Sequence, residues 1–393
     1  MDDSTQERGG LLRQIKLSNV LSFGLQSPPL ALLSLNVLIG PNGAGKSNLI
    51  EALGLIRSTP GDMRAVVRRG GGAAEWVWKG LPESFAAIDL VVANPQGNHP
   101  LLHLLVFEAD EQGFRLKLER IEKPGEEKQP YYNYRFQHGP PVVSTGTRGQ
   151  QWLEPDTFNP DLSILAQLRD PKNYPEITFL AESYEKIRIY REWAFGRNTV
   201  FREPQKADMR NDRLEEDFSN LGLFLNRLRQ TPKAKAAILD GLRDLYDGLT
   251  DFDVSIVGGS VQVFFTEGDF TIPATRLSDG SLRYLCLLAI LCDPEPPPLI
   301  CIEEPELGLH PDILPKLADH LVAASSRTQL VVTTHSDILV DAMTERPDAV
   351  VVCEKHEGKT EMRWLKRDEL VEWLKKYRLG QLWTKGQLGG RRW

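Results

Sequence analysis

The chain has 393 residues, of which 41% are hydrophobic and 26% charged, enough for a sizeable core and too apolar for a generally disordered chain. Its net charge of −7 excludes a generally basic nucleic-acid footprint. The charge is uneven: residues 355–393 hold 11 Lys and Arg against 5 Asp and Glu, a surplus of six that leaves the remainder at −13.

Residues 1–10 are polar and lack the basic-then-apolar layout of a signal peptide. The longest strongly apolar run, residues 284–292, is about half of the roughly 18 residues that suggest a membrane span. Both features predict a soluble, cytoplasmic protein with no membrane partner. Cys286, Cys292, Cys301 and Cys353 form no CxxC pair and lie in or beside apolar segments, which reads as reduced core residues.

Residues 11–39 read as strands, the last a largely apolar run that ends in Gly40-Pro41-Asn42-Gly43, and a helix is expected from residue 46 to about 57. Residues 86–138 hold short β-rich runs, such as Phe114, Leu116 and Leu118 alternating with charged residues, and predict an antiparallel meander. From about Phe158 the texture is helical. Phe218, Leu221, Leu225 and Leu228 share one helical face, as do Ile238, Leu242, Leu245 and Leu249. Strand-like runs return at 254–257 and 261–265, and from Leu277 into the 340s helix and strand alternate, which suits a parallel sheet. No repeat or sustained heptad pattern predicts a long coiled-coil arm. The expected organisation is an α/β head over residues 11–345, with the β meander at about 86–138 and a helical lobe at about 158–250. A basic, Trp-containing extension over 346–393 follows.

Gly40-Pro41-Asn42-Gly43-Ala44-Gly45-Lys46-Ser47 fits GxxxxGK[ST] between an apolar strand and a helix, the context that a P-loop needs. Its glycines let backbone N–H groups close around phosphate oxygens, the helix N-terminus adds a positive dipole end, Lys46 reaches the β- and γ-phosphates, and the Ser47 hydroxyl ligates Mg2+. The second constellation is Leu299-Ile300-Cys301-Ile302-Glu303-Glu304-Pro305-Glu306, a buried strand that delivers two adjacent carboxylates. In a phosphate site such a pair can divide two tasks, one holding Mg2+ and its waters and the other orienting and deprotonating the attacking water.

With both motifs in this order, the chain resembles an ABC-type ATPase of the SMC and RecF class, within the stand-alone ATPases often met in bacterial defence loci. The resemblance implies an ABC-type ATPase head with an antiparallel β subdomain and a helical insertion, and specific motifs carry it over residues 11–56 and 277–345. Leu277-Ser278-Asp279-Gly280-Ser281-Leu282-Arg283 stands where the family has its LSGGQ-like signature. His335, in Thr333-Thr334-His335-Ser336-Asp337, resembles the switch histidine that contacts the γ-phosphate. By the same resemblance Glu303 is the metal-facing carboxylate, replacing the usual Asp, and Glu304 the catalytic one. Asn42, Gly43, Gly45, Lys46 and Ser47 would hold ATP and Mg2+, with Ser278 and Gly280 contacting the γ-phosphate from a second copy in an ATP-bound homodimer.

Leu21 stands where many relatives carry a basic residue, and the glutamine that usually senses Mg2+ is unassigned, with Gln112 and Gln137 as candidates. His310 occupies a segment that lies close to the opposing subunit in the family, with a structural or a catalytic role. Trp364, Trp373, Trp383 and Trp393 lie in the basic tail, where stacking on bases and docking against protein are both open. Two functions stay open. One is a nucleotide-gated switch in defence or DNA maintenance that works with a separate effector protein, since the 58 residues after His335 are too few for a Toprim nuclease domain. The alternative is a RecF-like DNA-binding ATPase in repair, which keeps nucleic acid open as a partner; a transporter subunit is a weaker third.

Overall fold

In the computed structural model, described for residues 10–80, 85–95, 97, 99–110, 113–123, 131–137, 140–145, 149–153, 158–194, 196, 199 and 202–390, the chain divides into two units. The first comprises Met1–Ile187, Val351–Leu365 and Leu388–Trp393, and the second Arg188–Val350 and Lys366–Gln387.

The first unit is built on an eight-stranded antiparallel sheet. Its strands, in spatial order, are β2 (Leu30–Ala31), β1 (Leu12–Ser18), β4 (Phe85–Val92), β5 (Leu101–Asp110), β6 (Gly113–Lys123), β7 (Tyr131–Gln137), β8 (Val142–Thr145) and β9 (Gly149–Trp152). The meander expected over 86–138 is β4 to β7, and it continues through β9. A register shift between Val106 and Phe107 changes the phase of the alternation along β6, so that Leu116, Glu119 and Ile121 are buried while Leu118 is half-buried. The buried Glu119 carboxylate is satisfied by the Ser163 hydroxyl at 2.6 Å, the Ile164 N–H at 2.8 Å and His103 Nε2 at 3.2 Å, which ties the following loop to the sheet.

The unit also holds, as neighbours in a separate sheet, β3 (Leu35–Ile39), β17 (Val350–His356) and β18 (Lys359–Trp364) in that order. All five residues of β3 are buried, the pattern of a strand covered on both faces. Asn36, the polar exception, accepts from Leu33 N–H at 2.9 Å and donates to its carbonyl at 2.8 Å. Among the described residues the unit also holds four helices: α1 (Lys46–Ser58), α2 (Met63–Arg69), α3 (Ala73–Trp76) and α4 (Pro175–Glu185).

The second unit centres on three parallel strands, β10 (Arg188–Tyr190), β15 (Leu299–Glu303) and β16 (Gln329–Thr333), with helix α8 (Leu314–Ala324) crossing between the last two. Helix α7 (Asp279–Leu291) is buried at every position from Leu282 to Leu291, which explains the longest apolar run of the sequence as an interior helix. Among the described residues no helix is long and apolar enough to cross a membrane. A small antiparallel sheet pairs β13 (Ser260–Glu267) with β11 (Gln205–Lys206), β12 (Leu249–Val257) and β14 (Phe270–Pro273), packed by α5 (Leu221–Leu228) and α6 (Pro232–Arg243). Helices α9 (Asp337–Ala342), α10 (Arg367–Leu374) and α11 (Leu379–Thr384) complete this unit.

The helical-face readings overran their elements. Phe218 precedes α5 in the left-handed region (φ 61°), and on the second face α6 ends at Arg243, so Leu245 lies in the turn that follows and Leu249 already belongs to β12. Within the same helical texture β10 is three residues long, too short for a period-two signal. All four cysteines are buried and unbridged. Trp383 is fully buried and Trp364 donates to the Ala31 carbonyl at 3.0 Å, whereas Trp373 is half exposed, with its ring centroid 6.3 Å from that of Tyr377. Trp393 lies outside the described residues.

Candidate functional site

The phosphate loop belongs to the first unit. Gly45 caps α1 in the left-handed conformation (φ 95°) and, lacking a side chain, makes no cap hydrogen bond of its own to the first turn. Gly45 is required there on two counts, since an added Cβ would also lie 2.1 Å from Thr360 Oγ1. A short polar chain braces the loop from below: Asn48 Nδ2 donates to Ser22 Oγ at 2.6 Å, Ser22 and Thr360 share a hydroxyl contact of 2.6 Å, and Thr360 Oγ1 donates to the Ala44 carbonyl at 3.1 Å. Lys46 is buried with its ammonium on the carbonyls of Gly40 and Pro41, at 2.8 and 3.0 Å. Asn42, Gly43 and Ser47 are exposed. The loop thus places a cation beside the backbone N–H groups of a helix start, the chemistry that a polyphosphate needs.

The carboxylates belong to the second unit. At the end of β15 the Glu303 carboxylate pairs with Arg191 at 3.0 Å, and its carbonyl accepts from Trp193 Nε1 at 2.8 Å. The next residue, Glu304, takes a left-handed conformation (φ 46°) that a side-chain-bearing residue seldom adopts. Four hydrogen bonds hold it there: its N–H donates to Thr333 O at 3.1 Å and Thr333 Oγ1 at 3.2 Å, and its carbonyl accepts from Arg283 at 3.0 Å and from the Leu307 N–H at 3.2 Å. The turn aims the Glu304 carboxylate at His335, 3.5 Å from Nε2, so the structure brings these two expected residues together.

Glu306 fixes the histidine from the other side. Its Oε1 accepts from the Thr334 hydroxyl at 2.8 Å and the His335 N–H at 2.7 Å, and burial raises its pKa above the ordinary carboxylate value. Arg283, on α7, stacks over the Trp193 ring at 4.5 Å; burial lowers its pKa to about 10.

The signature residues open α7. Ser278 is its N-cap and accepts from the Ser281 N–H at 3.1 Å, while Gly280 permits a close pass, since a Cβ would meet the Gly308 carbonyl at 2.9 Å. Arg202 straps this turn, donating to the carbonyls of Thr275 and Leu277 and to the Asp279 carboxylate at 2.6 Å. The resulting open cavity, about 620 Å³, is lined by Arg202, Arg276, Ser278 and Asp279.

Sequence reasoning assigned no role to Arg191, Trp193, Arg202, Glu306 or Thr360. Only Glu306 carried a visible signal, as the last residue of Glu-Glu-Pro-Glu. His310 accepts from the Asp312 N–H at 3.3 Å and so caps a short 3-10 turn. Leu21 lies in the left-handed region and donates its N–H to the Trp76 carbonyl. Of the glutamine candidates, Gln137 is exposed on β7 and Gln112 lies outside the described residues. The residue beside the Glu303 carboxylate is Arg191.

The fold and the loop define an AAA-type, SMC-head-like nucleotide-binding domain. The chain belongs to the family described as "AAA domain, putative AbiEii toxin, Type IV TA system", whose model matches residues 35–341. Its fold is similar to an SMC head solved with the C-terminal winged-helix domain of ScpA (TM-score 0.55, 12% identity, covering 91% of this chain and 99% of that one). It is also similar to the Pyrococcus furiosus Smc head bound to the C-terminal domain of ScpA (0.57, 12%, 93% and 99%) and to the Pyrococcus yayanosii Smc head with a coiled coil and joint (0.51, 10%, 93% and 99%). No curated protein matches the sequence.

Proposed function

We propose that the chain binds ATP with Mg2+ at the phosphate loop and hydrolyses it to ADP and phosphate. Lys46 and the α1 N–H groups hold the phosphates. Glu304 orients the attacking water and takes its proton as the bond between the β- and γ-phosphates breaks, and His335 contacts the γ-phosphate. Mg2+ prefers hard oxygen donors and is commonly held by one or two carboxylates together with substrate phosphates. The exposed Ser47 hydroxyl and the Glu303 carboxylate are donors of that kind, and the ion would neutralise developing phosphate charge. ATP joins two copies, with Ser278 and Gly280 of one completing the site of the other. The dimer acts as a nucleotide-gated switch, in defence or DNA maintenance, that engages a separate effector protein.

The observation that carries this reading is the left-handed turn that sets Glu304 against His335, with Glu306 fixing the histidine: strain held in place by four hydrogen bonds is a mark of a functional site. The two SMC heads solved with ScpA domains support a protein partner.

The test is nucleotide binding measured beside turnover. Glu304→Gln is expected to bind ATP, lose turnover and accumulate as a dimer, and Lys46→Ala to fail at binding. Wild-type turnover in Glu304→Gln would remove that carboxylate from the mechanism.

A further inference from the structure

Strand β10 ends at Tyr190, opposite Ile302, and one residue further along β15 the Glu303 carbonyl is met by a side chain, Trp193 Nε1 at 2.8 Å. The next carbonyl, that of Glu304, accepts from Arg283 at 3.0 Å as well as from the Leu307 N–H. These two side chains also hold each other: the Arg283 guanidinium lies over the Trp193 ring, 4.5 Å from its centroid. The same ring stacks against Phe218, a core residue of this unit, at 5.4 Å.

Peptide groups are planar, so the direction of a carbonyl fixes the plane to which it belongs. The Glu303 carbonyl belongs to the peptide before Glu304 and the Glu304 carbonyl to the peptide after it. Holding both therefore holds the φ and the ψ of Glu304, the residue in the left-handed region at φ 46°.

We propose that Trp193 and Arg283 form a clamp that keeps the Glu304 turn left-handed and so aims its carboxylate. Relaxation of the turn would redirect the Cα–Cβ bond and carry the carboxylate away from His335 Nε2, now 3.5 Å distant. Both are positioning residues: they act on the backbone of Glu304 and leave the phosphates to other groups. Their loss slows the chemical step, which is sensitive to small misplacements, without weakening nucleotide binding. The inference rests on the assignment of the attacking water to Glu304.

The test pairs the single-turnover rate at saturating ATP with calorimetric binding of a non-hydrolysable ATP analogue. Trp193→Phe keeps an aromatic ring between Arg283 and Phe218 and deletes only the N–H donor. Its rate is expected to fall about fivefold, the factor that one neutral hydrogen bond supports, with analogue affinity unchanged. Arg283→Met, or Arg283→Lys should the methionine variant unfold, should show the same split. The double variant should lose clearly less than the product of the two single losses, because releasing either peptide already frees the turn. An unchanged rate in Trp193→Phe overturns the proposal, as does a parallel loss of analogue affinity, which marks general loosening, or a double variant that shows the full product. If Glu304→Gln keeps wild-type turnover, the assignment of Glu304 fails, and this inference with it; a Glu304→Gln variant that is inactive beside a fully active Trp193→Phe overturns the clamp alone.

Discussion

Glu304→Ala and Glu304→Gly both remove the proposed catalytic carboxylate and differ only by a Cβ, so their comparison isolates the backbone of the turn after β15. At φ 46° an L-residue bears a left-handed conformation that costs about 1–2 kcal/mol. Glycine relieves that cost but gives back about 0.5–1 kcal/mol through the greater freedom of the unfolded chain. The net expectation is that Glu304→Gly is more stable than Glu304→Ala by about 0.5–1 kcal/mol. With an unfolding entropy of about 2.1 cal/mol/K per residue, a chain of 393 residues shifts its melting point by about 1 °C for such a difference. Scanning calorimetry of the two variants side by side resolves it, and Glu304→Asn, whose side chain tolerates the left-handed region, should fall between them. Neither variant should turn over ATP. If the alanine variant melts at or above the glycine variant, no strain is stored at Glu304, and the argument from strain to function loses its premise.

Two further outcomes follow from the same geometry. The unfolded Glu306 ionises near 4.5 while burial raises the folded value, so wild type loses stability relative to Glu306→Gln as pH climbs from 4.5 toward neutrality. The melting-point advantage of Glu306→Gln should grow over that interval, and an advantage that stays flat with pH would count against a buried, ionising Glu306. Mixing Lys46→Ala with Ser278→Arg subunits should restore some turnover, because both lesions fall in one composite site of the mixed dimer and leave the other intact; mixed dimers that form but remain as inactive as either parent would exclude shared sites.

How much of this was legible in the sequence depended on whether local spacing or tertiary register carried the information. The phosphate loop was readable because its chemistry needs a contiguous string: each glycine answers a backbone requirement, as the left-handed Gly45 shows, and Lys46 and Ser47 follow at fixed offsets. The strand before the carboxylates was equally readable, since β15 is buried at Leu299, Ile300, Cys301 and Ile302. The meander was visible in outline, but the slip between Val106 and Phe107 was not, because a bulge changes the phase of alternation without a distinctive residue.

The braces of the site were hidden for a different reason. Thr360 lies 316 residues from the Ala44 carbonyl that it supports, and Arg191 lies 112 residues from Glu303, so no window of sequence contains either pair. Their partners are fixed by strand pairing, and β10 is too short to announce itself. Glu306 is the instructive intermediate case. It sat in plain view beside Glu304, and chemistry alone gives the two carboxylates the same range of tasks. Burial separates them: Glu304 stays open to solvent and to His335 Nε2, whereas Glu306 is enclosed and holds the backbone of the same histidine. One carboxylate is therefore available to act on a substrate water and the other is committed to positioning, a division that only the three-dimensional arrangement supplies.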